Sequence, residues 1–262
     1  MEPLDATLRA VRADRRRAVV PYLMVDRGRR TRLRPTVRAL RDAGAVALEL
    51  GFPFSDPIAD GPTLEAAADR ALRHRTRWAD LLGQLREASG ELPTAVMTYA
   101  NPVWARGLDR AAAELRASGA TGLIVPDLSL EETGPWAAAA RRAGLALVLL
   151  AAPSASPGRT AAIARASRGF LYLVSRFGTT GSADPAPARE LRPLVGAAHR
   201  AAPRLPVLVG FGVHDGPSAR AALESGADGV VVGSALEREI AAGASPRDAG
   251  RWLARIVAAA GS

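Results

Sequence analysis

Neither cysteine nor lysine occurs in the 262 residues, and asparagine occurs once, at Asn101. Without cysteine the chain can have no disulfide framework, no thiolate metal site and no cysteine nucleophile. The three histidines, His74, His199 and His214, are scattered and have no matching nucleophile or acid, so neither a zinc site nor a Ser-His-Asp triad is indicated. Long apolar runs are missing as well. The longest, around Gly144 to Pro153, is about half of what a bilayer-spanning helix needs. The N-terminal stretch MEPLDATLRAVRADRRR has no apolar core of the signal-peptide kind. The expectation is a soluble, untargeted, cytoplasmic protein with no membrane partner and no bound metal.

Arginine is abundant instead, and the formal charge is +9. Such a charge invites a nucleic-acid reading, because clustered basic residues are the footprint of phosphate-backbone contacts. Yet arginine, alanine, glycine and proline in excess, with lysine absent, is the composition that GC-rich codon usage produces whatever the function. The arginines are spread over most of the amphipathic stretches. Their denser runs, Arg15 to Arg17 and Arg27 to Arg34, hold no aromatic for base stacking. A solvated face is the better reading, and no nucleic-acid partner is expected. With 48% apolar and 23% charged residues, the chain is globular and long enough for a large core.

Short apolar runs alternate with amphipathic Ala- and Arg-rich stretches. Strands are expected at 18–24, 45–50, 94–99, 121–126, 145–150, 169–175, 206–209 and 228–232. Helices are expected at 35–43, 63–89 with a break, 109–118, 131–142, 158–167, 189–201, 217–225, 234–241 and 246–259. Eight alternating pairs predict a parallel sheet, and eight strands is the number that closes into a barrel. The expected architecture is α/β, a single (β/α)8 TIM barrel with residues 1–262 as one domain. A weak repeat agrees: DAGAVALEL, ASGATGLIV, RAGLALVLL and ESGADGVVV each place glycine at a helix C-cap just before an apolar run. An open doubly wound sheet competes, but MVDRGRRTRLRP after the first strand is no dinucleotide fingerprint.

In such a barrel the segments after the strands converge on one face, and they hold the unusual polar residues. VGFGV (Val209 to Val213) ends the seventh strand, and VVGSALE (Val231 to Glu237) ends the eighth and opens a helix. Backbone amides in glycine turns and at a helix N-terminus make an anion cradle, and GTTG (Gly178 to Gly181) adds a third side with Thr180. Glu49 is the sharper signal, a carboxylate in an otherwise apolar strand. Burial there is costly unless the group is paired, protonated or catalytic, and it raises the pKa toward that of a proton shuttle. Asp56 and Asp60 either cap the helix starting near Thr63 or belong to a site. Tyr99 and Tyr172 end strands and either stack on a flat ligand or complete the core.

LELGFPFSDPIADGP (Leu48 to Pro62), TYANPV, IVPDL, YLVSRFGTTG, VGFGV and VVGSA together resemble the tryptophan synthase alpha subunit family, in order and over nearly the whole chain. The resemblance implies a (β/α)8 barrel that cleaves indole-3-glycerol phosphate to indole and glyceraldehyde 3-phosphate. It also implies a PLP-dependent beta subunit that receives the indole, in an assembly of two alpha and two beta subunits, and no cofactor on this chain. By the same resemblance Glu49 is the general acid/base, Asp60 binds the indole N–H, and Tyr172 assists at the substrate. Tyr22 and Tyr99 line the indole pocket; Gly181, Gly210, Gly212, Gly233 and Ser234 hold the phosphate, and Thr180 belongs to the mobile loop that closes over Asp60. Departures from the family lie in loops near the mouth: the basic stretch after the first strand, DLSLEE (Asp127 to Glu132), the aromatic Phe177, and the turn after Ala71, which lacks the usual glycine. Two alternatives stay open, a stand-alone lyase that supplies free indole and a non-catalytic barrel that activates a beta subunit.

Overall fold

The structure is a computed structural model, and it describes residues 3–175 and 188–261. Eight strands alternate with helices and close into one barrel in sequence order, every neighbouring pair parallel. The strands are β1 Ala18–Met24, β2 Leu48–Gly51, β3 Thr94–Met97, β4 Ala120–Ile124, β5 Ala146–Ala151, β6 Leu171–Val174, β7 Val207–Gly210 and β8 Gly229–Val232. Around them run α1 Pro3–Ala13, α2 Arg30–Asp42, α3 Pro62–Arg73, α4 Trp78–Ser89, α5 Ala100–Arg106 and α6 Leu108–Ala117. The second half adds α7 Thr133–Ala143, α8 Pro157–Ala166, α9 Ala188–Ala201, α10 Gly216–Leu223, α11 Ser234–Ala241 and α12 Pro246–Gly261.

Strand side chains alternate between two apolar layers, as a period of two requires. Val19, Leu23, Leu48, Leu50, Val96 and Leu147 belong to the layer between sheet and helices. Val20, Tyr22, Ala95, Met97, Val148 and Tyr172 fill the barrel interior. The four repeated helix-to-strand turns share one backbone device: Gly44, Gly119, Gly144 and Gly226 all have positive φ, between 72° and 105°, which closes a helix at no steric cost.

Two helices were not anticipated. α1 has Leu4, Leu8 and Val11 on one face, all buried, and it plugs the N-terminal end of the barrel against Gly122 and Gly169. Below it, Asp228 accepts from the Val207 N–H and meets Arg12 and His199, each at 2.9 Å. α5 follows β3 directly, so the expected strand to residue 99 stops at Met97 and Tyr99 becomes a helix N-cap. β2 begins at Leu48 rather than Ala45, and the break expected within 63–89 falls between α3 and α4 at Arg75, whose φ is +57°.

Candidate active site

Glu49 sits between Leu48 and Leu50, both of which face the helices, so its own side chain turns into the barrel. It is 1% exposed, and among the described residues neither of its carboxylate oxygens has a hydrogen-bond partner. Burial alone pushes its pKa up to about 8. Tyr22, Met97, Tyr172, Phe211, Gly233 and Ser234 line the same cleft. Its free space is about 20 Å3, room for roughly one water, so a larger ligand enters only as the walls give way.

Asp60 is held in the loop from β2 to α3, 5% exposed. It does not cap α3: the N-cap is Gly61, with no side-chain cap. Asp56 takes a different place, exposed and accepting from the Ser55 hydroxyl. Burial raises the Asp60 pKa to about 6, with Tyr99 pulling the other way through a hydrogen bond and Glu65 adding a smaller upward push. The Tyr99 hydroxyl also accepts from the Ala59 N–H at 3.1 Å. Tyr99 is fixed in turn because Asp127, beyond β4, accepts from the Ala100 N–H at 2.9 and 3.2 Å and anchors the start of α5. One strand-end aspartate thus positions a tyrosine that positions a second aspartate.

Tyr22 and Tyr172 are each 4% exposed. Both phenols are raised well above their ordinary pKa by burial first; the next cause is the charge of Asp60 for Tyr22 and of Glu49 for Tyr172. Glycine makes room for each ring. A Cβ on Gly51 would lie 1.9 Å from the Tyr22 oxygen, and one on Gly210 would lie 2.3 Å from the Tyr172 oxygen. Gly210 therefore backs Tyr172 rather than lining the cleft.

Two helices start beside this cleft, and their N-termini differ. At α10, Asp215 accepts from the Ser218 N–H at 2.8 Å, so its own carboxylate occupies the anion position. At α11 the N-cap is Gly233 and no side chain caps the turn. That turn, with Gly233, Ser234 and Gly212 on the cleft wall, leaves its N–H groups open to an anion from the cleft. Thr180 and Gly181 lie outside the described residues. Two of the histidines stay apart from the site, His74 meeting Asp26 and His199 meeting Asp228, while the His214 ring lies 2.8 Å from the carbonyl of Gly212 on the cleft wall. Among the described residues, no group of three or more candidate ligands could hold a metal, and no helix is long and apolar enough to cross a membrane.

A family model described as tryptophan synthase alpha chain matches residues 8–258. The chain belongs to the tryptophan synthase alpha chain family. It is 42% identical over 230 residues to the tryptophan synthase alpha chain of Picosynechococcus sp., covering 86% of each chain. The corresponding protein of Prochlorococcus marinus is 39% identical over 263 residues, covering 98% of this chain and 95% of that one. Among solved structures, one of Mycobacterium tuberculosis tryptophan synthase is 34% identical, with a TM-score of 0.89, covering 100% of this chain and 99% of that chain.

The segment after the first strand holds a group that sequence reasoning missed. Asp26, 1% exposed, ends that strand's loop and accepts from Gly28, Arg70 and His74. Glu237 of α11, 3% exposed, accepts from the Met24 N–H at 2.7 Å, where β8 has already ended and leaves β1 without a partner on that side. Arg29 and Arg70 lie 3.8 and 3.6 Å from its other oxygen. The available signal was its position on the buried face of α11, beside Leu236 and three residues before Ile240.

Proposed function

We propose that the chain is the alpha subunit of tryptophan synthase, a cytoplasmic carbon-carbon lyase that cleaves indole-3-glycerol phosphate to indole and glyceraldehyde 3-phosphate. Glu49 carries this assignment: a buried, unpartnered acid at pKa about 8 is protonated at neutral pH and can give up and regain a proton. Its proton goes to indole C3, and positive charge develops on the indole nitrogen. Asp60, with a pKa of about 6, is ionised under the same conditions and stabilises that charge through the N–H. The Glu49 carboxylate then takes the proton of the adjacent glycerol hydroxyl. The new carbonyl forms as the bond to C3 breaks, and the released electron pair restores the neutral indole ring.

Tyr22, Tyr99 and Tyr172 flank the ring in this reading. Gly212, Gly233 and Ser234 hold the phosphate at the open end of α11, with Thr180 and Gly181 assisting from the sixth loop and Gly210 supporting Tyr172. The partner is a PLP-dependent beta subunit, in an assembly of two alpha and two beta subunits. Among the described residues, the exposed large apolar side chains are Ile58 at 76% and Trp104 at 61%, one after β2 and one after β3. Both therefore stand at the mouth, where the product leaves, which supports docking there. The purified chain, alone and with a tryptophan synthase beta subunit, should release indole from indole-3-glycerol phosphate, and Glu49→Gln should not. Equal release by the two proteins under both conditions would refute the assignment.

A further inference from the structure

Between β1, α2, α4 and α11 lies a second cavity of about 190 Å3, which shares no lining residue with the Glu49 cleft and is several times the space one water occupies. Leu23, Met24, Leu33, Ile240 and Ala244 give it apolar walls. Three buried polar side chains also line it; the Thr36 hydroxyl donates to the Arg32 carbonyl at 2.8 Å, and the other two are less fully paired. Gln84, 2% exposed, accepts from the Asp26 N–H through Oε1 at 3.4 Å, which fixes the amide orientation and leaves Nε2, a donor, unpaired. Glu237, 3% exposed, uses Oε1 for the Met24 N–H and leaves Oε2, an acceptor, without a hydrogen bond. Arg29 and Arg70 stand 3.8 and 3.6 Å from Oε2, within ion-pair range but beyond hydrogen-bond distance, and the exposed Arg32 forms part of the wall.

One unpaired donor, one unpaired acceptor, flanking guanidinium groups and apolar walls describe a specific kind of guest. We propose that this cavity binds a free α-amino acid with an apolar side chain. The carboxylate accepts from Gln84 Nε2 and faces Arg29 and Arg32. The ammonium donates to Glu237 Oε2, and the side chain lies along Leu23, Leu33 and Ile240. Single-ended ligands match less well: a carboxylic acid gives the Glu237 oxygen no hydrogen-bond donor, and an amine leaves the Gln84 donor without an acceptor beside the arginines.

Titration calorimetry on the full chain tests this with L-leucine and L-phenylalanine, using 4-methylpentanoate and 3-methylbutylamine as leucine lacking one end each. L-leucine or L-phenylalanine should bind saturably, and both leucine analogues should bind at least about tenfold more weakly than L-leucine. Glu237→Gln keeps an acceptor for Met24 but removes the charge facing the ammonium. Gln84→Glu keeps the acceptor for Asp26 but repels the carboxylate. Each should weaken binding at least about tenfold, while Glu49→Gln should leave it unchanged. Should either variant fail to fold, the analogues on the unaltered chain decide. No saturable heat with either amino acid up to about 10 mM, analogues as tight as L-leucine, or loss of binding in Glu49→Gln would overturn the proposal. The outcome is independent of indole release, which is read in a separate assay.

Discussion

Replacing Glu49 by glutamine should remove activity and yet, as pH rises, make the protein progressively more stable than the parent. In the unfolded chain the carboxyl titrates near 4.5; in the folded barrel burial moves it to about 8. The folded state therefore binds the proton more tightly. Its contribution is fully present below pH 4.5 and is lost as pH climbs through about 8. The gap of about 3.5 pH units corresponds to ~5 kcal/mol above pH 8, of which ~3 kcal/mol is already lost at pH 7, at 1.36 kcal/mol per unit. Glutamine does not titrate. Its amide protons would meet few acceptors, a pH-independent penalty of about 1–3 kcal/mol that sets the offset between the proteins but not its slope. Asp60 also titrates as it is buried, but it is common to both proteins and cancels. Calorimetric melting from pH 4.5 to 8.5 should show the variant gaining ~3 kcal/mol on the parent by pH 7, about 6 °C in Tm for a chain of this length. Parallel pH curves for the two proteins would mean that Glu49 is ionised and solvated in the fold, and the reasoning would fail.

The same two pKa values predict a bell-shaped profile of kcat/KM, falling below about pH 6 as Asp60 protonates and above about pH 8 as Glu49 ionises. A steady-state profile flat from pH 5 to 9 would contradict it. Gly51→Ala should push the Tyr22 ring aside and cost about 1–3 kcal/mol by urea unfolding, because its Cβ would overlap the hydroxyl. Arg75→Gly should add about 1 kcal/mol in the same assay, since an exposed arginine now occupies a left-handed backbone position. Trp104→Asp together with Ile58→Asp should weaken capture by a beta subunit while leaving the lone chain's indole release near the parent value.

The barrel was legible because each strand is a short apolar run and four of the eight follow a helix-ending glycine, a pattern local enough to read. Boundaries were less so. Ala45 to Ala47 are apolar enough to extend β2, but the strand's pairing with β3 begins only at Leu48 and Thr94. α1 escaped notice although Leu4, Leu8 and Val11 recur at helical spacing, since a run so rich in arginine reads as surface. Glu49 stood out as an acid in an apolar strand. Asp60 did not by itself, because its burial comes from a loop and a tyrosine about forty residues away, and no local pattern reports that. Glu237 was hidden for the same reason. Its partner is the Met24 amide, 213 residues distant, exposed only because two neighbouring strands end at different heights.

The alternation along β2 has a consequence for how such a chain can vary through descent. Leu48 and Leu50 face outward and Glu49 inward, so gain or loss of one codon within those four residues would leave the strand just as greasy while swinging the acid among the helices and sending a leucine into the chamber. The barrel would close, and its chemistry would vanish. Mouth loops can lengthen residue by residue; this strand tolerates only changes of even length.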